Sequence, residues 1–312
     1  MRIVFFGTPE FATPPLRALI GEGFDVVAVV TQPDRPRQHG GRSRSRLDPS
    51  PVKVIALEEQ IPVLQPERAR GPEFLAQLRA LAPEIAIVVA YGQILPADVI
   101  DAPPLGTLNI HASLLPEYRG AAPIQAAIRD GCPETGVTIM RMVPALDAGP
   151  AILALRTAIA PDETAGELQL RLAELGATAL IEALALIAMG KATESPQNDA
   201  LATYAPKIDR GAARLPFDAP SDRVARLIRA YDPKPGAWAV LGGLEVRLFG
   251  ARAVDGCSGA PGEVLEAGQD GLLVACGEGA VRIADVHPAG KTRLAAAQWA
   301  RGRGVKVGDR FG

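Results

Sequence analysis

The feature that most constrains the fold is a regular alternation, over residues 1–150, of continuous apolar segments with segments of helical periodicity. Uninterrupted runs rich in Val and Ile predict strands buried on both faces, a pattern typical of parallel sheets. Helical segments between successive strands provide the crossovers that parallel pairing requires. We therefore predict an α/β fold with an open, parallel-rich, Rossmann-like sheet. The predicted strands are Arg2–Phe6, Asp25–Thr31, Glu84–Ala90, Gly106–His111 and Gly136–Val143.

The second part of the chain has a different pattern. Residues 162–190 keep helical periodicity up to a terminal glycine, whereas residues 191–208 are polar and lose it. Short apolar strands separated by Gly-rich turns then predict a small antiparallel β-barrel, similar to the oligonucleotide-binding type. We expect a first domain over residues 1–189, a linker over 190–208 and a C-terminal β-barrel over 209–312.

A polar step at the end of one predicted strand indicates a functional site. In LNIHASLLPEYRGAAPI, Asn109 and His111 lie two positions apart, so their side chains project from the same face of the strand. Ligands of open α/β sheets bind just outside the carboxyl ends of the strands. Leu114, Leu115 and Pro116 then end the strand, and we expect them to wall a pocket.

Asp147 follows the next predicted strand and completes a possible catalytic set. A carboxylate beside an imidazole fixes its tautomer and stabilises the imidazolium, and an Asn amide can stabilise a developing oxyanion. Asn109, His111 and Asp147 therefore suit direct transfer of an acyl-type group to an amine. A structural role for a single His at a strand end stays open. Ser113 as a nucleophile is not supported, because no Gly-x-Ser-x-Gly motif surrounds it.

An arginine-rich segment lies between the second predicted strand and the next helix. It includes Arg42, Arg44 and Arg46, and its composition suits wrapping a phosphate backbone. Residues 206–312 hold 16 Lys+Arg against 12 Asp+Glu, a balance of +4, and residues 1–205 hold 17 against 23, a balance of −6. This asymmetry favours a polyanionic partner, although ordinary charge scatter would also produce it.

Composition limits the class of protein. Hydrophobic content of 48% and charged content of 22% predict a globular chain. The three cysteines, Cys132, Cys257 and Cys276, are widely spaced and predict neither a disulfide framework nor a zinc site. The apolar run Leu180–Gly190 is too short to cross a bilayer. We expect a cytoplasmic protein with no membrane partner and no metal.

Several blocks of the sequence closely resemble one family, the methionyl-tRNA formyltransferases, within the folate-dependent formyltransferases. The blocks are FFGTPEFA, VVTQPDRP, PSPVK, VVAYGQILP, LNIHASLLPEYRGAAPI and LDAGP. The resemblance continues through YAPKI and PGAWA to HPAGKTRLAAAQWARG, so it spans nearly the whole chain. The block HASLLPEYRGAAPI is highly specific to folate-dependent formyl transfer.

This resemblance implies transfer of a formyl group from 10-formyltetrahydrofolate to the methionine amino group of initiator tRNA, a step of translation initiation. The attack would be direct, with no covalent enzyme intermediate and no metal. The resemblance assigns the catalytic roles to Asn109, His111 and Asp147. It places the folate site at Ser113, Leu114, Leu115, Pro116, Tyr91 and Gly92.

The resemblance also implies that Arg42, Arg44 and Arg46 contact the acceptor end of the tRNA. The C-terminal domain would supply a second tRNA contact, for which the candidates are Lys291, Arg293, Arg301, Arg303 and Lys306. We expect a monomer. Two alternatives stay open, namely a formyltransferase acting on a small amine, such as a nucleotide-linked sugar, and a noncatalytic RNA-binding protein.

Overall fold

The computed structural model describes residues 1–36 and 47–312. Strands in the first half are β1 (Arg2–Gly7), β2 (Asp25–Val30), β3 (Arg35–Pro36), β4 (Leu47–Asp48), β5 (Val63–Leu64), β6 (Ile85–Val89), β7 (Thr107–His111), β8 (Glu134–Arg141) and β9 (Ala151–Ala158). The α-helices are α1 (Thr13–Gly21), α2 (Pro51–Glu58), α3 (Pro72–Ala80), α4 (Ala97–Ile100), α5 (Pro123–Arg129), α6 (Ala165–Ala188), α7 (Ser221–Ala230) and α8 (Ala296–Arg301). The C-terminal strands are β10 (Ala237–Leu241), β11 (Leu244–Val254), β12 (Val264–Gly268), β13 (Gly271–Ala275), β14 (Ala280–Pro288) and β15 (Leu294–Ala295). Short 3₁₀ turns cover Glu10–Ala12 and Asp199–Leu201.

The first sheet has the strand order β5-β2-β1-β6-β7-β8-β9. Its members from β5 to β7 pair in parallel, which confirms the predicted parallel-rich Rossmann-like sheet. The sheet is mixed, however, because β8 pairs with β7 in the antiparallel direction. The carboxyl end of β8 therefore lies beside the amino end of β7, with Arg141 opposite Leu108.

Burial on both faces explains why the strand sequences are continuously apolar. In β1, Val4 and Phe6 belong to a core cluster that also contains Phe74 of α3 and Val99 of α4. Alternate residues of a strand face opposite sides, so Phe5, which is fully buried, packs on the other face. The core uses few aromatic side chains, and Phe6 meets Phe74 edge-on with ring centroids 6.4 Å apart.

Helix α6 has recognisable start and stop signals. Thr164 and Glu167 form a capping box: the Glu167 N–H donates to Thr164 Oγ1 at 3.3 Å, and the Thr164 N–H donates to Glu167 Oε2 at 2.9 Å. These hydrogen bonds from Thr164 hold the pKa of Glu167 below its ordinary value. At the other end, Gly190 adopts a φ of 64°, and its N–H donates to the Ile187 carbonyl.

The C-terminal strands form an antiparallel sheet in the order β10-β11-β14-β13-β12, with β15 added to β14. The last residues of the chain join its two edges. Phe311 bridges to Leu241 of β10, and Arg310 bridges to Glu263 beside β12. The sheet therefore closes on itself as a small barrel does, which agrees with the predicted antiparallel β-barrel.

The described residues group into two compact units. One comprises Met1–Gly120, Gly136–Thr157 and Leu170–Tyr204, and the other comprises Ala121–Thr135, Ala158–Gln169 and Ala205–Gly312. Two short segments within residues 1–189 thus group with the C-terminal residues. The boundaries expected at 189 and 208 stay a prediction, and we describe each unit by itself.

Candidate active site

Asn109 and His111 lie at the carboxyl end of β7, in the interior of the sheet. The backbone of His111 pairs with Thr138 of β8, and that of Asn109 pairs with Val88 of β6 and Met140 of β8. The side chain of His111 is almost fully buried, whereas Asn109 is half-buried. No hydrogen bond of the Asn109 amide occurs within residues 1–36 and 47–312. Its N–H donors are therefore available to a ligand.

The structure brings Asp147 to His111, with Nδ1 of the ring 3.7 Å from Oδ2 of the carboxylate. This distance is that of an ion pair rather than a hydrogen bond. The other ring nitrogen, Nε2, lies 2.9 Å from the carbonyl oxygen of Tyr118. A carbonyl oxygen can only accept, so Nε2 carries a proton and donates to Tyr118. Nδ1, which has only the longer contact to Asp147, is the ring nitrogen that can take up a proton. The Gly120 N–H donates to the same Oδ2 at 2.8 Å, which fixes the carboxylate.

The route by which Asp147 reaches His111 differs from the sequence-based expectation. The sequence predicted a parallel sheet, but β8, the strand that Asp147 follows, pairs with β7 in the antiparallel direction. Asp147 instead belongs to a loop that closes on itself after β8. The Arg141 N–H donates to the Pro150 carbonyl at 2.9 Å, and a Cβ on Gly149 would lie only 1.7 Å from the Arg141 carbonyl oxygen. Asp147 has a φ of 47°, in the left-handed region that Asp tolerates better than most residues.

A polar cluster that the sequence did not reveal holds this loop. The side-chain amide of Gln197 donates to the carbonyl oxygens of Asp147 at 2.8 Å and Gly149 at 2.7 Å. The Gln197 Oε1 accepts from Nη2 of Arg119 at 2.8 Å, and Asp199 accepts from the same nitrogen at 2.6 Å. Arg119 is buried, so this pairing satisfies a charge that would otherwise be costly. These residues belong to the predicted linker and to the block RGAAPI, where their polarity gave no sign of a shared site.

The segment Ser113–Pro116 follows His111 directly. Ser113 is fully buried and its hydroxyl donates to the Glu117 carbonyl at 2.6 Å, so it stabilises the turn. Thr138 of β8 donates to the Ser113 carbonyl at 2.7 Å and accepts from the Leu115 N–H at 3.1 Å. The side chains that the resemblance assigns to the folate site, Leu114, Leu115 and Pro116, are each half-buried and so present part of their apolar surface.

Tyr91 and Gly92 follow the neighbouring strand β6, but the Tyr91 ring faces inward. Its centroid lies 5.3 Å from that of Phe6 in the core cluster, and its buried hydroxyl has no hydrogen-bond partner among the described residues. Burial raises the pKa of Tyr91 to about 12. At the strand end the residue presents its carbonyl oxygen, which accepts from Thr8 at 3.0 Å and from Gln32 at 3.2 Å. Gly92 is exposed with a φ of 91°.

A second polar cluster joins the two ends of the arginine-rich segment. Lys53, in the first turn of α2, contacts Asp34 at 2.5 Å and Gln65 at 2.7 Å, and Gln65 donates to Asp34 at 2.8 Å. Burial alone would raise the pKa of Asp34, but the hydrogen bonds from Lys53 and Gln65 outweigh it and hold that pKa below its ordinary value. The chain therefore leaves β2 and enters α2 at fixed points.

The residues expected to contact tRNA have different outcomes. Arg42, Arg44 and Arg46 lie outside the described residues. Arg293, in the C-terminal unit, donates to Asp232 at 2.9 Å and stacks over the Phe249 ring at 4.2 Å, so it has structural partners. Exposed side chains are found at Lys291, Arg301, Arg303 and Lys306.

Across residues 1–36 and 47–312, no group of three or more His, Cys, Asp or Glu side chains is arranged to hold a metal ion. Over the same residues, every helix is too short or too polar to cross a bilayer.

Comparison with known proteins relates this chain to the formyl transferases. Residues 1–184 match the formyl transferase family, and residues 207–304 match the formyl transferase C-terminal domain. A methionyl-tRNA formyltransferase of Pseudomonas fluorescens (strain SBW25) is 50% identical over 292 residues, which make up 93% of this chain and 90% of the relative.

Two solved structures share the fold at low sequence identity. HypX from Aquifex aeolicus, in complex with tetrahydrofolic acid, has a TM-score of 0.68 and 22% identity, covering 96% of this chain and 46% of that one. A methionyl-tRNA formyltransferase from Clostridium thermocellum has a TM-score of 0.59 and 14% identity, covering 82% of this chain and 95% of that one.

Proposed function

The chain belongs to the formyl transferase family, and on this premise we propose that it transfers the formyl group of 10-formyltetrahydrofolate to the methionine amino group of initiator tRNA. The observation that carries the proposal is the 50% identity, over 93% of the chain, to an enzyme named for this reaction. Formyl transfer to this tRNA is a step of translation initiation. The donor is a co-substrate, and the groups around His111 suit its chemistry without a bound metal.

The reaction is a direct substitution at the formyl carbon. The neutral amine attacks the carbon, a new C–N bond forms and the carbonyl oxygen gains negative charge. The bond from the formyl carbon to the folate nitrogen then breaks, and the amine proton passes to that leaving nitrogen. A catalyst must therefore stabilise an oxyanion and move one proton.

We assign the oxyanion to Asn109 and the proton to His111. The Asn109 amide has no hydrogen bond within the described part of the chain, so its N–H can donate to the oxygen at no cost to the fold. Comparable oxyanion donors contribute about 2.7–4 kcal/mol. His111 would take the amine proton at Nδ1, because its Nε2–H donates to the Tyr118 carbonyl, and would return that proton to the folate nitrogen. Asp147 would stabilise the imidazolium formed in between. The 3.7 Å separation of the two side chains supports this pairing.

We propose that the donor binds along Ser113–Pro116, next to Tyr91 and Gly92. Half-buried apolar side chains in the Leu-Leu-Pro segment suit contact with a flat ring system. Ser113 would act through the turn it stabilises, because its hydroxyl is already donated to Glu117. Tyr91 would contribute its backbone, because its ring lies in the core.

The acceptor would be held by Arg42, Arg44 and Arg46, as the sequence indicates. The cluster of Asp34, Lys53 and Gln65 supports this role, because it fixes the positions from which the arginine-rich segment leaves the sheet. The monomeric state and the cytoplasmic location remain proposals drawn from the sequence and the family.

The deciding experiment compares acceptors. Purified protein is supplied with 10-formyltetrahydrofolate and either charged initiator tRNA or a nucleotide-linked amino sugar, and formylated product is measured at several salt concentrations. We expect product with the tRNA alone, and KM for tRNA should rise steeply with salt, because phosphate contacts release counterions. Replacing Arg42, Arg44 and Arg46 with Gln should flatten that salt dependence. Turnover of the sugar at a rate independent of salt would contradict the assignment.

A further inference from the structure

The C-terminal compact unit contains a cavity of about 590 Å³ that the proposed reaction does not use. The end of α5, the turn before α6, one side of α7 and three residues of β11 form its walls. This volume is within the usual range of small-ligand sites. We call it the arginine pocket, after its charged lining residues Asp162, Asp222, Arg226, Arg229 and Arg252. Three guanidinium groups and two carboxylates give this lining a net charge of +1.

The two carboxylates of the arginine pocket are already paired. Oδ2 of Asp222 lies 2.8 Å from Nη1 of Arg226, one helical turn further along α7. Oδ2 of Asp162 lies 3.2 Å from Nε of Arg252 on β11, and both of these side chains are largely exposed at the rim. Among the residues that the structure describes, Arg229 is therefore the cation of the pocket that has no acidic partner of its own.

Arg229 also has little hydrogen bonding. Within residues 1–36 and 47–312, its guanidinium makes a single hydrogen bond, a long one of 3.4 Å from Nη1 to the Glu163 carbonyl. A guanidinium carries five N–H donors, so most of this half-buried group has no acceptor among the described residues. Burial lowers the pKa of Arg229; the carboxylate of Asp162 opposes this effect and the charge of Arg226 adds to it.

Arg226 is held rigidly beside Arg229, on the same side of α7. Its guanidinium lies against Gly131, where an added Cβ would be 3.2 Å from Nη1 and 3.3 Å from Nε. Nε is buried and has no partner within residues 1–36 and 47–312, and Nη1 forms an ion pair with Asp222. Gly131 also has a φ of 75°, so a side chain is disfavoured there on two grounds. The geometry fixes the group in place and leaves Nη2 without a hydrogen bond in the part of the chain described.

We propose that the arginine pocket binds a phosphate group through Arg229 and Arg226. Two adjacent guanidinium groups with spare donors match the oxygen geometry of phosphate. A phosphodiester carries one negative charge, which balances the net charge of the lining. The phosphate could belong to an RNA backbone or to a free phosphate compound. The RNA source alone rests on the proposed function, whereas binding of phosphate does not.

The test uses the full chain and the variants Arg229→Gln and Arg223→Gln. Arg223 is exposed on the same helix and does not line the pocket, so it is a control matched in charge and position. Calorimetric titration with inorganic phosphate and with adenosine monophosphate measures free phosphate. Titration with initiator tRNA over a range of salt measures the polymer. We expect Arg229→Gln to weaken either the affinity for free phosphate compounds or the affinity for tRNA by about tenfold or more. Arg223→Gln should leave that affinity near the wild-type value.

The two sources give different results. An RNA phosphate predicts that Arg229→Gln reduces the salt slope of tRNA affinity by about one, with free phosphate binding weak in every protein. A free compound predicts loss of adenosine monophosphate binding with tRNA affinity unchanged. The variant Arg229→Lys keeps the positive charge but lacks the planar guanidinium with its several N–H donors. If its melting temperature equals that of wild type, the variant is folded, and it should then bind phosphate with intermediate affinity. Equal affinities of Arg229→Gln and Arg223→Gln for all three ligands would overturn the proposal, whether or not the protein transfers formyl groups.

Discussion

The proposed catalytic centre around His111 and the arginine pocket both gather polar side chains, but the hydrogen-bonding groups of the two sites have partners to different degrees. Around His111, almost every group has a partner: Asp147 accepts from Gly120, and Gln197 uses both its oxygen and its nitrogen. In the arginine pocket, Arg229 has one long hydrogen bond. A reacting centre needs atoms held in one geometry, and a binding site needs donors left over for its ligand.

Asn109 shows the same principle inside the proposed catalytic centre. Its amide has no hydrogen bond among the described residues, although His111 and Asp147 beside it are fixed. A donor without a protein acceptor therefore indicates a binding role only where it faces space that a ligand can occupy. Asn109 lies at the carboxyl end of a strand, where ligands of α/β sheets bind, and Arg229 lines a cavity.

The largest effect is expected from His111→Ala, which removes the imidazole that we propose carries the proton. Losing the proton carrier should lower kcat for formyl transfer by roughly 10²–10⁴-fold, because general acid–base catalysis contributes that much. Affinity for tRNA should be retained. His287→Ala, a replacement of the same kind on β14, is the control and should keep wild-type kcat. Steady-state rates with charged initiator tRNA decide the point, and equal rates for the two variants would remove His111 from the mechanism.

The next effect is expected from Gly149→Ala, which attacks the support of Asp147. A Cβ there would lie 1.7 Å from the Arg141 carbonyl oxygen, so the loop must move. We expect a loss of about 1–3 kcal/mol in the free energy of unfolding, together with a lower kcat. The control is Gly21→Ala at the end of α1, where nothing lies within 4 Å of the added Cβ. Thermal melting and kcat should separate the two variants.

The sequence predicted that Asn109 and His111 lie at a strand end, but it did not predict how the chain brings Asp147 to them. Asn109 and His111 at a strand end follow from local pattern, because residues two apart share a face of a strand. The direction of β8 could not be predicted, because an apolar run suits a buried strand of either direction. Asp147 consequently reaches His111 through a loop that closes on Arg141.

Long-range partners were beyond the reach of local pattern. Gln197 is 50 residues from Asp147 and 78 from Arg119, and its segment has a polar, aperiodic composition typical of a linker. The closure of the C-terminal sheet by Phe311 depends in the same way on contacts between distant segments. Composition predicted the barrel because Gly-rich turns and short apolar strands are local features.

A smaller effect is expected from Tyr91→Phe, which removes a donor that faces the packed core and not a ligand-accessible cavity. The Tyr91 hydroxyl is buried in the core and has no hydrogen-bond partner in the described part of the chain, so its removal should raise the free energy of unfolding, by at most about 1–3 kcal/mol. Because the pKa of Tyr91 is raised to about 12 in the folded protein, the free energy of unfolding of wild type should fall as pH rises from 10 toward about 12. Tyr91→Phe has no hydroxyl at this position, so this contribution to the pH dependence should be absent.

Tyr231→Phe is the matched control for this prediction. Tyr231 is also buried, but its hydroxyl hydrogen-bonds Arg129, so its loss should be destabilising. Denaturant unfolding of both variants at neutral and alkaline pH makes the comparison. A destabilised Tyr91→Phe would mean that the hydroxyl has a role that its surroundings do not show.

The smallest effect is expected from Arg252→Gln, at the rim of the arginine pocket. The pair that Arg252 forms with Asp162 is 72% and 57% exposed, and exposed pairs contribute about 0–1 kcal/mol. Melting temperature should therefore stay near wild type. Phosphate affinity should fall by less than in Arg229→Gln, because water screens the rim charge while Arg229 is half-buried. A larger loss for Arg252→Gln than for Arg229→Gln would mean that the ligand sits at the rim, and that the spare donors of Arg229 serve something else.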